Sequence, residues 1–182
     1  VMREPHTLLE IEEVETDKPG PREALIRTGA SGVCHSDLHY VDGLYHHKTP
    51  TILGHEAAGT IEAVGDRVTY VKPGDHVVLH WVKGSGIDST PPRYDWDGTS
   101  VSAGWVTTFS EYTVASENRV TPIPRDVNLE AACLLGCAVT TGLGIVFNNA
   151  GMMPGQGIAV FGVGGVGLNV IQGAALVNAH PI

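Results

Sequence analysis

Short stretches rich in apolar and β-branched residues, separated by turns that contain Gly and Pro, fill most of the sequence before Asn128. Stretches of this length and composition are typical of β-strands. They predict strands at 7–14, 22–29, 61–64, 77–79 and 109–115. The segment 84–104, which is rich in Gly, Ser, Pro and Asp, predicts an irregular loop. Many short strands at this spacing favour a small barrel.

From Asn128 onward the apolar positions recur at helical spacing. Asn128 can cap a helix that ends at Gly136, and a second helix is predicted over 140–148. The apolar run 158–161 predicts a buried strand of the parallel type. A glycine-rich loop follows it, and then a further helix that runs to Asn178. This part of the chain therefore indicates the start of a nucleotide-binding unit.

The composition is that of an ordinary globular protein, with 182 residues, 42% hydrophobic and 17% charged. This length favours one or two domains. The formal net charge of -9 argues against a nucleic-acid-binding surface, which would be basic. No apolar run is long enough to span a bilayer, and no secretory signal is visible. Three Cys residues without a disulfide framework are typical of a reducing cytosol, so a cytoplasmic location is expected.

The stretch 54–68, GHEAAGTIEAVGDRV, places His55 and Glu56 directly after an apolar pair and among small residues. An imidazole and a carboxylate beside a core must be hydrogen-bonded or metal-bound to offset their desolvation. Two cysteines elsewhere offer such a partner, Cys34 in GVCHSD and Cys137 in LLGCAVTTG. One His and two thiolates with an open fourth position form a catalytic zinc set of the Cys₂His type.

Several motifs occur in an order that resembles the zinc-dependent medium-chain alcohol dehydrogenases, which are the standard example of the Cys₂His zinc set. They are GHE-x-x-G followed by Gly65 and Val68, Cys34-His35-Ser36-Asp37 upstream, GVGGVG downstream, and Cys137 between them. The resemblance covers nearly the whole chain, and the combination is far more specific than any one of its motifs.

The resemblance implies a mainly β, GroES-like catalytic barrel domain with flanking helices over residues 1–150. It implies that 151–182 is the first strand, glycine loop and helix of a truncated α/β Rossmann domain. Members of the family are considerably longer, so this chain is expected to be a fragment and to be inactive by itself. A crevice for a dinucleotide needs neighbouring parallel strands.

One catalytic zinc ion, held by Cys34, His55 and Cys137, is the ligand set that the resemblance implies. Glu56 is expected to stay near the metal and to ligate it transiently. Asp37 is expected to fix the ring of His55, a support that metal-ligating histidines commonly need. The alternative is a buried Cys and a core His that only pack.

A proton relay is also implied by the resemblance, because alcohol oxidation releases a proton from oxygen. The hydroxyl of Ser36 is expected to touch the alcohol, and the relay is expected to end at His39. His35 is expected to face the cofactor pyrophosphate, and Thr141 to pack on the nicotinamide. The alternatives are two surface His residues near the start of a short helix over 36–40 and a Thr that serves as a cap.

The glycine-rich loop is the candidate cofactor site. A GxGxxG pattern after a strand and before a helix lets backbone N–H groups meet a pyrophosphate. Gly162, Gly164 and Gly167 fill the pattern, with Gly165 and Val166 inside it. The alternative is an ordinary glycine-rich turn. The acid that selects NAD or NADP would follow about 20 residues further on, so the sequence leaves that choice open.

One departure from the family concerns a lobe of four cysteines that often binds a structural zinc ion after the strand at 77–79. Residues 80–110 contain no Cys, so no structural zinc is expected. Tyr94 and Trp96 are expected to pack this segment or to meet a partner chain. The resemblance aligns Trp81 with an aromatic residue of the family's substrate pocket, and the alternative is a Trp on the surface or in the core. Cys133 lies outside any motif, and core packing is expected for it.

The sequence therefore predicts a zinc-dependent oxidoreductase that converts an alcohol to an aldehyde or ketone, reversibly, with hydride transfer to NAD or NADP. The expected partners are a small-molecule substrate and further copies of the chain, as a dimer or tetramer, with neither nucleic acid nor membrane. Two alternatives stay open. One is a zinc-free quinone reductase, which would lack the Cys, His, Cys set, and the other is a non-catalytic GroES-like binding module.

Overall fold

The computed structural model describes all 182 residues, which divide into two compact units, Val1–Gly136 and Cys137–Ile182. The first unit is mainly sheet and the second is helical. The division lies earlier than the predicted domain limit after residue 150. The reason is that the helix at 138–144 packs against the helix at 165–176 and so belongs with the later part of the chain.

Eight strands and four α-helices make up the regular structure. The strands are β1 Glu15–Thr16, β2 Glu23–Ser31, β3 Ala57–Val64, β4 His76–Leu79, β5 Tyr94–Trp96, β6 Thr99–Val101, β7 Tyr112–Ser116 and β8 Val120–Ile123. The α-helices are α1 His35–Val41, α2 Leu129–Ala132, α3 Ala138–Gly144 and α4 Gly165–Leu176. Shorter helical turns lie at Glu117–Arg119 and Cys133–Gly136 (3₁₀) and at Ile145–Asn149 (π).

The main sheet has five antiparallel strands in the order β7-β2-β3-β4-β8. Its two edge strands are joined only by Glu117–Arg119. A flat sheet of this kind would place its edges about 19 Å apart, whereas the joining chain spans at most about 14 Å. The sheet must therefore curl towards closure, in agreement with the small barrel that the strand spacing predicts.

The main hydrophobic core of the first unit lies on one face of this sheet. Alternate residues of β2 are buried, as period-two patterning requires, and Ala24 and Ile26 are fully enclosed. The core members are Ala24, Ile26, Ala57, Ile61, Val71, Val77, Leu79, Val106, Ala115 and Val120. A second cluster places Cys133 with Ala58, Val78 and Ala132 under α2, and the expected packing of Cys133 is thus observed.

Two predictions for the first unit were wrong. Residues 7–14 form no strand because they find no partner strand, and Leu8 and Ile11 are exposed. The segment 84–104 is not irregular throughout, because β5 and β6 form a hairpin that extends to β1 in a three-stranded sheet. Its turn is Asp97-Gly98, with φ of 49° and 79°. An Asp-Gly pair is a strong hairpin signal, so this hairpin could have been predicted from the sequence.

β8 was also missed, and its proline explains why. Pro122 within a short run lowers the expectation of a strand, since Pro has no N–H to donate. The sheet order places β8 at an edge, with β4 as its single neighbour, where a proline is tolerated.

In the second unit α3, the π-helical turn after it and α4 form the packed part. The predicted helices are confirmed, but the predicted buried strand at 158–161 is wrong. This segment lacks a neighbouring strand to share its backbone hydrogen bonds, and Phe161 is 98% exposed. Ile158 donates its N–H to the carbonyl of Pro181 and joins no sheet.

No single helix is long and apolar enough to cross a membrane. Leu129–Gly136 and Ala138–Asn149 together reach the required length and composition, but a break separates them.

Candidate metal centre

Cys34 stands at the N-terminus of α1, where the chain turns from the end of β2 into the helix. Asp37, at the third helical position, accepts a hydrogen bond from the backbone N–H of Cys34 through Oδ2 at 3.0 Å. The N–H of Asp37 donates in return to the carbonyl of Cys34 at 3.0 Å. This reciprocal capping arrangement satisfies two backbone groups that the start of a helix leaves without helical partners. It also fixes the backbone of Cys34.

His55 follows Gly54, whose φ of 91° suits glycine and whose missing side chain leaves room for Thr108 and Phe109. The resulting turn lets the N–H of Gly54 donate to Oδ1 of Asp37 at 3.3 Å. Nδ1 of His55 lies 3.2 Å from the same oxygen. Asp37 is only 4% exposed. Its carboxylate therefore sets the orientation of the His55 ring, and Nε2 is the nitrogen that a metal would use.

Cys137 is the residue that follows the first unit, one peptide bond after Gly136. Gly136 packs so closely that a Cβ there would overlap the carbonyl oxygen of Leu79 and would lie 3.0 Å from Cβ of Glu56. The backbone from which Cys137 starts is therefore held by the packing of Gly136.

One ligand atom each of Cys34, His55 and Cys137 lies within 4.8 Å of the others, and all three residues are partly buried. Two thiolates and an imidazole at this separation can share one ion, and this donor set selects zinc in a tetrahedral site. None of the three cysteines forms a disulfide. The residues therefore fit a zinc ion with three protein ligands and an open fourth position.

The thiol of Cys34 is prepared for metal binding by its neighbours. Burial raises the pKa of this thiol, but hydrogen bonds with Ser36 and with His55 outweigh that effect, and the pKa lies below its ordinary value. A lower pKa means more thiolate near neutral pH, which is the form that binds metal. The thiol of Cys133 shows the opposite behaviour, because burial and the nearby Glu56 carboxylate raise its pKa.

Glu56, the residue after His55, is buried, with 2% of its surface exposed. Gly32 makes this possible, since a Cβ at that position would lie 2.7 Å from Cδ of Glu56. The backbone carbonyl of Glu56 accepts hydrogen bonds from the N–H of Gly32 and the hydroxyl of Ser31.

The remaining candidate residues of α1 lie on different parts of the helix. Ser36 contacts Cys34, as its hydrogen bond with that thiol shows. His35 is exposed, and its ring meets that of His39 edge-on at 4.9 Å. His39 also packs edge-on against Tyr45 at 4.9 Å, and its Nδ1 is buried without a hydrogen-bond partner.

A sequence model of the alcohol dehydrogenase GroES-like domain matches residues 20–125, more than half of the chain. The chain belongs to the zinc-dependent medium-chain alcohol dehydrogenase family. The family that the motifs indicated is thereby confirmed.

Among the alcohol dehydrogenase relatives is an S-(hydroxymethyl)glutathione dehydrogenase of Photobacterium damsela subsp. piscicida, which is 37% identical and matches 96% of this chain and 54% of its own length. A solved alcohol dehydrogenase zinc-binding domain protein of Burkholderia ambifaria is similar at a TM-score of 0.91 and 29% identity, over 98% of this chain and 55% of that one. The solved benzyl alcohol dehydrogenase of Acinetobacter calcoaceticus is similar at a TM-score of 0.86 and 28% identity, over 98% of this chain and 55% of that one. The chain spans about half the length of these relatives.

Within this alcohol dehydrogenase fold, the glycine loop of the second unit leads into the N-terminus of α4. Gly162 has a φ of 96°, and a Cβ on Gly167 would overlap the carbonyl oxygen of Gly162. The backbone therefore requires glycine at both positions. At Gly164 a Cβ would meet nothing within 4 Å, so open space adjoins the loop there. Thr141 lies inside α3 and is exposed.

Arg119, which donates to the carbonyl of Trp81, and its partner Asp88 were not singled out from the sequence. Arg119 lies between β7 and β8, is 5% exposed, and forms a two-pronged ion pair with Asp88. Thirty-one positions separate them along the chain, so no local pattern connects them. Trp81 is 46% exposed, and its ring meets that of His55 edge-on at 6.3 Å.

Proposed function

We propose that this chain supplies the catalytic zinc centre of an alcohol dehydrogenase, which oxidises an alcohol to an aldehyde or ketone with hydride transfer to NAD or NADP. The observation that carries this proposal is the convergence of Cys34, His55 and Cys137, with Asp37 orienting the first two. A zinc ion held by these residues would supply Lewis-acid polarisation of an alcohol oxygen.

The side chains of α1 provide the means to handle the proton of the alcohol. The hydroxyl of Ser36 lies beside the Cys34 thiol and so adjoins the candidate metal position. We assign it the first contact with the alcohol proton and His39 the final base, because a hydroxyl can both accept and donate. Glu56 is assigned a transient approach to the metal by the family resemblance, since it follows His55 directly and is buried.

The glycine loop before α4 is assigned to the cofactor. Backbone N–H groups at the start of a helix favour a pyrophosphate, and the requirement for glycine at Gly162 and Gly167 brings the loop close to the helix start. We assign His35 to the pyrophosphate and Thr141 to the nicotinamide by the family resemblance. Residues 151–182 would then be the first βα unit of a Rossmann domain, and 1–150 the catalytic domain.

A zinc-free quinone reductase is disfavoured by the complete ligand set, which such an enzyme would not need. A non-catalytic module remains the second candidate for the isolated chain. We further assign the enzyme to the cytoplasm as a homodimer or homotetramer that acts on a small molecule.

The activity test uses a protein of the length of the relatives, because a dinucleotide crevice requires neighbouring parallel strands. The zinc-loaded protein is incubated with benzyl alcohol, ethanol or S-(hydroxymethyl)glutathione and with NAD or NADP, and reduced nicotinamide is followed by its absorbance. Turnover that is lost in Cys34→Ser supports the proposal. No turnover with any pair, from a protein that holds zinc, would favour the binding module.

The relay has its own signature. His39→Gln should slow oxidation more at low pH than at high pH, because hydroxide can replace the missing base when it is plentiful. His47→Gln, a substitution in the neighbouring polar loop, is the matched control and should leave the pH profile unchanged. An equal loss across the pH range for His39→Gln would mean that His39 is structural.

A further inference from the structure

The segment 81–89, here called the Trp81 loop, leaves β4 and lies against the connection between β7 and β8. Its backbone is bound at one point to that connection and at one point to the last residue of β7. The N–H of Gly84 donates to the carbonyl of Asn118 at 2.6 Å, and the N–H of Ser89 donates to Oγ of Ser116 at 3.0 Å. The segment contains no cysteine.

Arg119 joins the Trp81 loop to this connection through its whole guanidinium group. Nε donates to Oδ1 of Asp88 at 2.9 Å and Nη2 to Oδ2 at 2.7 Å, a two-pronged pair. Nη1 donates to the carbonyl of Trp81, and the group lies over the ring of Trp105 at 5.0 Å. Both charged side chains are largely buried, with 6% of Arg119 and 14% of Asp88 exposed.

A buried pair of this geometry is specific to arginine. The planar fork binds both carboxylate oxygens at once and still has a donor for the carbonyl of Trp81, which the point charge of a lysine cannot do. Lys83 also approaches Asp88, at 3.8 Å, but its side chain is 61% exposed and offers a weak contact. Loss of either partner of the Arg119–Asp88 pair would leave a charge or a polar group buried without its match.

Arg119 contacts two tryptophan residues. Its Nη1 donates to the carbonyl of Trp81, and its guanidinium group lies over the ring of Trp105. Gly104, next in the chain to Trp105, lies beside the indole of Trp81, since a Cβ there would be in ordinary van der Waals contact with Cζ3 at 3.6 Å. The indole, which is 46% exposed, meets His55 edge-on, with ring centroids 6.3 Å apart and planes at 77°.

We propose that Arg119 is a positioning residue, which through Asp88 and the carbonyl of Trp81 holds the indole of Trp81 against the His55 ring. This role of Arg119 rests on the proposed function in one respect, that His55 is a metal ligand, because only then does the position of Trp81 shape the substrate pocket.

The test compares four variants of the zinc-loaded chain. Arg119→Lys keeps the charge without the fork, and Asp88→Asn keeps the shape without the charge. Trp81→Leu supplies the reference state without an indole. Arg27→Lys, in the exposed pair of Arg27 with Glu62, is the matched control. Zinc content and circular dichroism first establish that each variant is folded and loaded.

Two measurements then separate positioning from general stability. Amide hydrogen exchange at Gly84 should be at least about tenfold faster in Arg119→Lys and Asp88→Asn, because breaking a buried pair loosens the loop. The NMR signal of the His55 ring protons, which the nearby indole shifts, should move at least halfway to its position in Trp81→Leu. In Arg27→Lys both should stay at the wild-type values.

An unchanged His55 signal in both pair variants would overturn the proposal, whether or not the loop exchanges faster. If Arg119→Lys does not fold, Asp88→Asn decides, because it leaves Arg119 in place. If the wild-type chain holds no zinc, the proposed function fails instead. The His55 signal of the metal-free chain, compared with that of Trp81→Leu, then still reports whether Arg119 positions the indole.

Discussion

Oδ1 of Asp37 lies 3.2 Å from Nδ1 of His55, while Oδ2 of the same carboxylate accepts the backbone N–H of Cys34 at 3.0 Å. One buried side chain thus orients two of the three candidate metal ligands. A carboxyl group can serve both because it has two oxygens, each of which can accept a hydrogen bond. The first unit therefore holds two of the candidate ligands, Cys34 and His55, in place, and Cys137 contributes the third.

Asp37→Asn should weaken zinc binding by about 10- to 100-fold, the usual effect of removing a partner that orients a metal-ligating histidine. The amide offers one acceptor oxygen where the carboxylate has two, so it cannot serve His55 and Cys34 together. Competition with a chromophoric chelator measures the affinity. The control variant Asp66→Asn, in an exposed turn, should bind zinc with the affinity of the wild type. Equal affinities for the two variants would contradict a role for Asp37.

Elemental analysis of the purified chain should find one zinc ion per chain, because one Cys, His, Cys set is present. Cys137→Ser should lose most of the metal, since a serine hydroxyl is a poor zinc ligand beside thiolate and imidazole. Cys133→Ser is the matched control. Its thiol packs in the core and donates to the carbonyl of Glu130 at 3.1 Å, so its zinc content should stay at one. Two tightly held ions per chain would rule this assignment out.

The ion pair of Asp88 with Arg119 should make stability depend on pH in a defined window. Hydrogen bonds from Arg119, set against a smaller cost of burial, lower the pKa of Asp88. A carboxyl with a lowered folded-state pKa stabilises the fold above its unfolded pKa of about 3.9. That contribution is lost as the pH falls through the lowered value.

Urea unfolding of the metal-free chain tests this dependence, so that metal loss in acid does not enter. At pH 6 Asp88→Asn should be less stable than the wild type by about 3 kcal/mol, the cost of leaving a buried charge without its partner. The difference should narrow as the pH falls below about 4. Asp66→Asn should differ by less than about 0.5 kcal/mol throughout. A difference between Asp88→Asn and the wild type that does not change with pH would show that the charge of Asp88 is not involved.

Gly136→Ala should impair both stability and zinc binding. The new Cβ would overlap the carbonyl oxygen of Leu79, so the backbone that carries Cys137 must shift. Overpacking of this kind costs about 1–3 kcal/mol. Gly144→Ala is the control, since the nearest atom to its Cβ is 4.0 Å away and Ala favours a helix. Thermal unfolding and chelator competition measure the two effects, and a Gly136→Ala chain with full zinc affinity would contradict the account.

Much of the first unit could be predicted from the sequence. Strands β2, β3, β4 and β7, helix α1 and the Asn128 cap follow from local patterns, because they depend on residues within a few positions of each other. The cap is explicit, since Oδ1 of Asn128 accepts the N–H groups of Glu130 and Ala131. The strand predictions at 7–14 and at 158–161 were wrong for one shared reason. An apolar run becomes a strand only where a partner strand accepts its hydrogen bonds.

By itself the sequence determined the chemical types and the order of the candidate ligands, and with them the family, because thiolates, imidazole and glycine motifs are properties of single residues and short spacings. The tertiary structure decided what those residues face. It brings one carboxyl oxygen of Asp37 to Cys34 and the other to His55. It also pairs Arg119 with Asp88. These contacts join positions far apart in the chain, and a buried charge is stable only where folding supplies its partner.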